Sequence, residues 1–542
     1  MRNSALRTQV LTLLLALLLF GSLGLRIWGV GFGLPAYARY HPDEHALVER
    51  AAQILWTGNW KLERFNYPPA YAYVQAIAYA IYFLYGVSQG LWEQLPLLVV
   101  PNYYMVGRVV TAIFGTLTIV VVYLAARQLH NRRTGVLAAT LLGGNYLHII
   151  HSHYATFDVM VGFWVALTLL FSALLRDRQE ARWYLLAGLC AGLAGATKYN
   201  GAVAIILPLL AHILSTQWGE WGWLDGRLFL SIGAFLLGFF GGNPYALGNL
   251  PEFLGGLGTV LHHYETQQPG FEGQANWKWY PSVFLRSADS IWVVAGTFGL
   301  LSVFWKDWRK GLLLLSFPII YYAMAARFVV RFERNMVPLL PFLAIGGGWL
   351  ITVIADSAAQ RFERPRQLST IVTVLLVFLV LALPLIAAIS FDLGLTRIDH
   401  RELAGQWVEE NIESGSKIAI EHYSIPFDHD RYEVTDVVRA SDHDLAWYQQ
   451  EGFDVLIVSD GVWEILKRQP QYYGEKLDTL AGITESGTLL AEFVPEPPGI
   501  VVAGYPTVAV YHYAPVRIYQ LPQAVSALGA SPTCTQQRSN LE

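Results

Sequence analysis

"IVTVLLVFLVLALPLIAAISFDLGLTRIDHRELAGQWVEENI", residues 371–412, joins two kinds of polypeptide in one stretch. Residues 371–390 carry no charge, and about 20 mostly apolar residues suffice to cross the hydrocarbon core of a bilayer. From Phe391 the composition turns to that of a soluble domain, and Asp399 with Glu402 three residues on has the spacing of a capping box at the start of a helix. The chain therefore predicts a membrane-embedded part followed by a water-soluble one.

Working back from this junction, apolar segments recur at 8–30, 103–126, 135–153, 158–175, 183–197, 200–216, 228–247, 283–304, 312–325, 336–355 and 369–390. About 11 transmembrane helices are expected. The stretch 69–85, "PAYAYVQAIAYAIYFLY", offers a twelfth span, but its tyrosines favour a helix lying at the interface. Composition agrees: 54% of the 542 residues are hydrophobic and only 14% charged, against roughly 25% charged in soluble proteins. A net charge of −4 gives no footing for nucleic-acid binding. The two cysteines, Cys190 and Cys534, exclude a disulfide framework. The N-terminal apolar run lacks a small-residue cleavage site and reads as a retained span.

Lysine and arginine collect in cytoplasmic loops. With the N-terminus inside, the inner loops are "RQLHNRR" (127–133), "RDRQEAR" (176–182), "WKDWRKG" (305–311) and "RFERPR" (361–366), all short and basic. The opposite side then receives residues 31–102, the start of the segment at Asp158, the loop 248–282, residues 325–335 and everything after 390. The expected organisation is a membrane domain over 1–390 with an external loop over 31–102. An extracytoplasmic α/β domain over 391–520 and a disordered tail over 521–542 follow. In that domain "KIAIE" (417–421), "VLIVSD" (455–460), "LLAEFVP" (489–495) and "TVAVYHY" (507–513) read as strands, with a helix over 444–452. No internal repeat, P-loop or dinucleotide fingerprint appears.

Charges near a bilayer are costly and mark functional sites unless they are paired. On the outer side these are Asp43, Glu44, Arg108, Asp158, Lys198, Arg327, Arg331 and Arg334. Each also has an ordinary reading. Pro42 followed by two acids is how many helices begin, Asp158 stands where a cap belongs, Lys198 can snorkel to the interface, the arginines can pair with Glu333, and Arg108 can anchor its span. His41 and His45 flank the acidic pair, and His148, His151 and His153 precede Asp158. Histidine and carboxylate are ligand types for zinc or manganese, so His41, His45, His151 and His153 are candidate ligands of a divalent metal ion, although their spacing matches no compact motif.

The stretch "PDEHALVERAAQILWTGNWKLERFNYPPAYAYV" (42–74) resembles the first external loop of polyprenyl-phosphate-sugar-dependent glycosyltransferases of the C-type membrane superfamily. The relevant branch holds the protein O-mannosyltransferases and lipid A aminoarabinose transferases. The carrying features are Asp43-Glu44 opening a helix, the turn at Gly58-Asn59-Trp60, and Pro68-Pro69. Similar in order are "GRVVTAIFGTLTIVVVYLAARQL" (107–129), "HYATFDVMVGFW" (153–164), "GLCAGLAGATKYNGAVAIILP" (188–208) and "RFERNMVPLLPFLAI" (331–345). Tyr67 stands where many relatives have a basic residue, and the C-terminal domain also departs from the pattern.

The resemblance implies transfer of a sugar from a polyprenyl-phosphate carrier to a protein, lipid or glycan acceptor at the outer face of the plasma membrane. Phosphate leaves without a general acid. The reaction needs one base for the acceptor proton and fixed cations where charge develops on the phosphate. By this resemblance Asp43 is the base, Glu44 orients it or holds a metal, and Asp158 binds acceptor or sugar or shares the activation. Lys198 and Arg334 hold the phosphate, with Arg331 a weaker candidate. A transporter or flippase is the competing reading, and a scaffold or sensor acting through the α/β domain a third.

Overall fold

The computed structural model describes residues 2–35, 41–62, 64–91, 101–215, 225–266, 269, 276–362, 365–422, 424–495, 504–506, 512 and 514–523. The chain forms two compact units. One is Met1–Asp399 with Glu496–Tyr513, and the other is His400–Pro495 with Ala514–Glu542.

The first unit is helical. Its elements are α1 (Arg2–Ile27), α2 (Pro42–Thr57), α3 (Ala70–Ser88), α4 (Pro101–Leu129), α5 (Arg132–Gly143), α6 (Tyr146–His151), α7 (Asp158–Arg178) and α8 (Ala181–Thr197). There follow α9 (Ile206–Ser215), α10 (Gly226–Gly242), α11 (Tyr245–Gly248), α12 (Leu250–Thr266), α13 (Asn276–Arg286), α14 (Ser290–Lys306), α15 (Trp308–Arg327), α16 (Leu340–Gln360) and α17 (Pro365–Leu395). Every apolar segment anticipated from the sequence is helical, but not every one is a single rod. Among the described residues five helices are long and apolar enough to cross a membrane, and six if the bent pair α13–α14 is one span. The chain is a multi-pass membrane protein by these helices.

The departures have local causes. The segment 135–153 breaks after Gly143, because the Asn145 side chain accepts the His148 N–H and starts α6 afresh. The segment 283–304 bends by 119° between α13 and α14. At the corner Asp289 accepts hydrogen bonds from Asn145, Tyr146 N–H, Leu147 N–H and the Tyr505 hydroxyl. The stretch 69–85, expected at the interface, becomes α3, which passes as a span. Tyr71 and Tyr79 are buried inside the unit, while Ile77, Ile81 and Leu84 are exposed. Two of the tyrosines that suggested an interface, Tyr71 and Tyr79, are packing residues, whereas Tyr85 is exposed. Small residues let α8 and α10 touch: a Cβ on Gly192 would stand 2.2 Å from the Phe235 carbonyl oxygen.

The second unit is an α/β layer. Strands β1 (Lys417–Glu421), β2 (Glu433–Val437), β3 (Val455–Ser459), β4 (Thr488–Phe493) and β5 (Val516–Gln520) form one sheet in the order β2-β1-β3-β5-β4. The pairs β1–β2 and β1–β3 are parallel, and β3–β5 and β4–β5 antiparallel. Helices α18 (His400–Asn411), α19 (Leu445–Glu451), α20 (Asp460–Leu466) and α21 (Pro470–Ser486) complete it. Asp444 caps α19 by accepting the Trp447 N–H, and Gly452 ends it at φ 76°. Strand β2 escaped the sequence reading because no apolar run marks it. Apart from His512, the strand expected at 507–513 lies outside the described residues, as does the tail after Gln523.

One buried carboxylate ties this sheet together. Glu421, at the end of β1, accepts from Ala440 N–H, Ser459 N–H and the Trp463 indole. Burial outweighs these donors and pushes its carboxyl up to about 7, from an ordinary 4.5. Between those two values the native state keeps a proton that the unfolded chain has lost, so this residue lowers stability as pH rises through the window. Glu421→Gln is expected to remove that dependence, on the order of 3 kcal/mol across the window. Hydrogen exchange of the β1 amides between pH 4.5 and 7, wild type against variant, checks it.

Candidate active site

The acidic pair separates at the first turn of α2. Pro42 occupies the first turn, and the His41 ring caps it, its Nδ1 accepting the Asp43 N–H at 3.3 Å. Burial, reinforced by Arg334, holds the His41 imidazole well below its usual range, so it remains a neutral acceptor. Leu47, Val48, Ala51 and Ile54 then bury one face of the helix, and Glu44 lies on that face. Its carboxylate meets the Arg108 guanidinium of α4 in two parallel bonds of 2.8 Å. It also accepts the Ala155 N–H at 2.9 Å. Arg108 donates further to the Val30 and Phe32 carbonyls and covers the Phe32 ring at 3.8 Å. Both side chains are 1% exposed.

Asp43, one residue earlier, points elsewhere. Its Oδ2 lies 2.7 Å from Arg334, whose Nε is 4.0 Å from Asp158 Oδ2. Lys198, between α8 and the 3-10 turn Tyr199–Ile205, bonds Asp158 Oδ1 at 2.8 Å and Asn335 Oδ1 at 3.1 Å. The turn Glu333–Leu339 supplies Arg334 and Asn335 together. Two carboxylates and two cations thus alternate as Asp43, Arg334, Asp158 and Lys198, drawn from four places in the sequence.

An apolar cavity of about 310 Å³ opens beside them. Lys198 and Asn335 line it with Tyr67, Phe157, Leu257 and Tyr264 among others. The Asp43 carboxylate, with burial, raises the Tyr67 phenol above its usual range, and burial pushes Tyr264 up to about 12. Both stay neutral and can donate hydrogen bonds. The Tyr264 carbonyl accepts Val329 N–H and Val330 N–H, fixing α12 to the segment before Arg331.

Of the remaining sequence candidates, His41 and His151 lie within electrostatic reach of Arg334, and the others have partners of their own. Arg331 is buried, bonded to Asn276 and over the Trp279 ring, away from the four-charge row. His45 contacts the Tyr104 hydroxyl and Glu49. His153 bonds the Ile149 and Trp28 carbonyls and lies 3.4 Å from Asp392. His151 is buried with neither ring nitrogen hydrogen-bonded among the described residues. Among the described residues no three His, Cys, Asp or Glu side chains gather to hold a metal ion. Sequence reasoning missed Asn335, Tyr264 and the Glu44–Arg108 pairing. The first two are ordinary residue types, and nothing in their spacing marks them.

Comparison with known proteins bears out the resemblance drawn from the external loop. Residues 66–240 match the family model described as dolichyl-phosphate-mannose-protein mannosyltransferase, a stretch that contains Asp158 and Lys198 but not Asp43 or Arg334. Among curated relatives, dolichyl-phosphooligosaccharide-protein glycotransferase 2 of Pyrococcus furiosus is 40% identical over 98 residues, 17% of this chain and 13% of its own. Undecaprenyl phosphate-alpha-4-amino-4-deoxy-L-arabinose arabinosyl transferase 1 of Pseudomonas fluorescens is 28% identical over 188 residues, 34% of this chain and 32% of its own. The chain therefore aligns with a third or less of either relative's length. In fold it is similar to apo ArnT from Cupriavidus metallidurans (TM-score 0.51, 16% identity, 95% of this chain and 98% of that one). It is similar also to the Archaeoglobus fulgidus oligosaccharyltransferase (TM-score 0.53, 12% identity, 85% and 70%). The chain thus shares its fold with these membrane glycosyltransferases.

The two acids are expected to separate by experiment. Glu44→Gln breaks a buried ion pair and should destabilise the chain by about 3–5 kcal/mol. Asp43→Asn should cost less, because Arg334 keeps Asp158 as a neighbouring acid at 4.0 Å. Thermal unfolding in detergent compares them.

Proposed function

We propose that the chain transfers a sugar from a polyprenyl-phosphate carrier to an acceptor hydroxyl or amine at the outer face of the membrane. One observation carries this reading: Asp43, Arg334, Asp158 and Lys198 form a single row, and its last member also lines an apolar cavity. A prenyl tail needs apolar walls, and a phosphate needs cations. The relatives support the substrate class. One is named for undecaprenyl phosphate-linked aminoarabinose. The Archaeoglobus enzyme, similar at TM-score 0.51, is known in complex with an inhibitory peptide and a dolichol-phosphate. The matched relatives are sugar transferases, and the transporter reading is not carried further.

In this reading Lys198 and Arg334 take the donor phosphate. Each is already ion-paired, so the phosphate replaces a carboxylate partner rather than meeting a desolvated free cation. As Arg334 turns to the phosphate, Asp43 is released from its pair and accepts the acceptor's proton. The acceptor atom bonds to the anomeric carbon while the carbon–oxygen bond to phosphate breaks. The electron pair stays on the phosphate, where Lys198 and Arg334 stabilise it. Asp158 keeps both cations in register. Glu44 acts through position alone: its bonds to Arg108 and Ala155 fix the first turn of α2, and so the direction of Asp43. In this reading the N-terminus is cytoplasmic and the 391–520 region lies outside, as the short basic loops 127–133, 176–182, 305–311 and 361–366 support.

Asp43→Asn is expected to abolish sugar transfer from a polyprenyl-phosphate donor while leaving undecaprenyl phosphate binding intact. Arg334→Gln should weaken that binding by about tenfold or more, the value of a charge-assisted bond. Transfer assays with a panel of polyprenyl-phosphate sugars, beside direct binding of undecaprenyl phosphate, check both. Near-normal turnover of the Asp43 variant would sink the assignment.

A further inference from the structure

Two turns beyond Asp43 on α2 stands a cation that the proposed reaction does not use. Arg50 is partly buried, and its guanidinium lies 5.2 Å from the centre of the Tyr67 ring. Its Nη1 is buried with no hydrogen-bond partner. The exposed Arg64 is near enough to depress Arg50, after burial itself. Among the described residues neither guanidinium has a hydrogen bond or an ion pair. Every other cation near the cavity is matched: Lys198 and Arg334 by acids, and Lys61 by Asn249 and Glu252.

Among the described residues Arg50 is a partly buried guanidinium without a counter-charge, which is costly to hold, and the charge of Arg64 adds to that cost. Like charges repel, and a half-buried guanidinium has lost part of its hydration. Arginine's fork of donors suits a phosphate or carboxylate more than any other group. The Tyr67 face holds Arg50 in place by cation–π attraction. Tyr67 also lines the apolar cavity, and Tyr199, which lines it too, is a second electrostatic neighbour of Arg50. We infer that Arg50 and Arg64 bind an oxyanion, a phosphate or carboxylate, carried by the acceptor at a distance from its reacting atom. Seven residues of helix separate Arg50 from Asp43, about 10 Å along the axis. That is too far to hold the phosphate bound by Arg334, and suits a group about one sugar ring away from the reacting hydroxyl or amine. The inference rests on the proposed transfer reaction and narrows the acceptor to an anionic molecule. A lipid headgroup carries the same chemistry, but Arg50 is set behind a cavity-lining tyrosine rather than on the exposed apolar surface of α3.

The test uses the full chain in nanodiscs of zwitterionic phosphatidylcholine, with saturating undecaprenyl phosphate. Inorganic phosphate is then titrated and followed by tryptophan fluorescence. Saturable binding is expected, weakened by about tenfold or more in Arg50→Gln and less in Arg64→Gln. Arg50→Lys should recover part of it, which keeps the test open if the glutamine variant folds poorly. Undecaprenyl phosphate binding should be unchanged in all three. Phosphate binding that is absent, or unchanged in Arg50→Gln, overturns the site. Competition by phosphatidylglycerol discs assigns it to a headgroup and overturns the acceptor. Failure of undecaprenyl phosphate to bind the wild type counts instead against the transfer reaction.

Discussion

The Glu44–Arg108 pair sets the site. A carboxylate and a guanidinium, each almost wholly out of water, face one another through two bonds of 2.8 Å. Such a pair adds little net stability over apolar residues, because desolvation offsets most of the attraction. Its effect is on direction. Residues 43 and 44 are about 100° apart around a helix, so fixing one toward α4 turns the other toward the Glu333–Leu339 turn. Asp43 meets Arg334 because Glu44 has met Arg108. The same pair draws in the Val30 and Phe32 carbonyls and Ala155 N–H. The chain ahead of α2, the first part of α4 and the approach to α7 are held at one point.

The rest of the site follows from irregular backbone. Lys198 lies where α8 stops and the chain tightens into a 3-10 turn, and Arg334 and Asn335 lie in a second such turn before α16. Breaks of this kind are tolerated at membrane depth where they line a cavity. They project polar side chains across the unit rather than along a helix face. At the bend between α13 and α14 the Asp289 N–H is taken by Ser287 Oγ, and the Asp289 carboxylate accepts the Tyr146 and Leu147 N–H groups that open α6.

Much of this was legible beforehand. Apolar length and the position of basic loops gave the helical segments, since both are properties of composition over many residues. The strands β1, β3 and β4 were legible from apolar runs bounded by turns. Asp43, Asp158, Lys198 and Arg334 were visible because a charge in an apolar context has few explanations. What the sequence could not show was partnership. Nothing in "DE" tells that Glu44 turns inward and Asp43 toward the cavity, since that depends on Arg108, 64 residues away. Nor could it choose between a span and an interfacial helix for α3, because its tyrosines look alike whether they face water or a neighbouring helix. Asn335 and Tyr264 gain meaning only from the atoms beside them.

The central claim is that the lipid phosphate takes Arg334 and so releases Asp43. A structure of the chain with undecaprenyl phosphate in a nanodisc tests it most directly. The account predicts the phosphate between Lys198 and Arg334, the prenyl chain in the cavity lined by Tyr67 and Leu257, and the Asp43–Arg334 contact opened from its present 2.7 Å. A phosphate bound elsewhere, or an Asp43–Arg334 pair left closed beside it, contradicts the account.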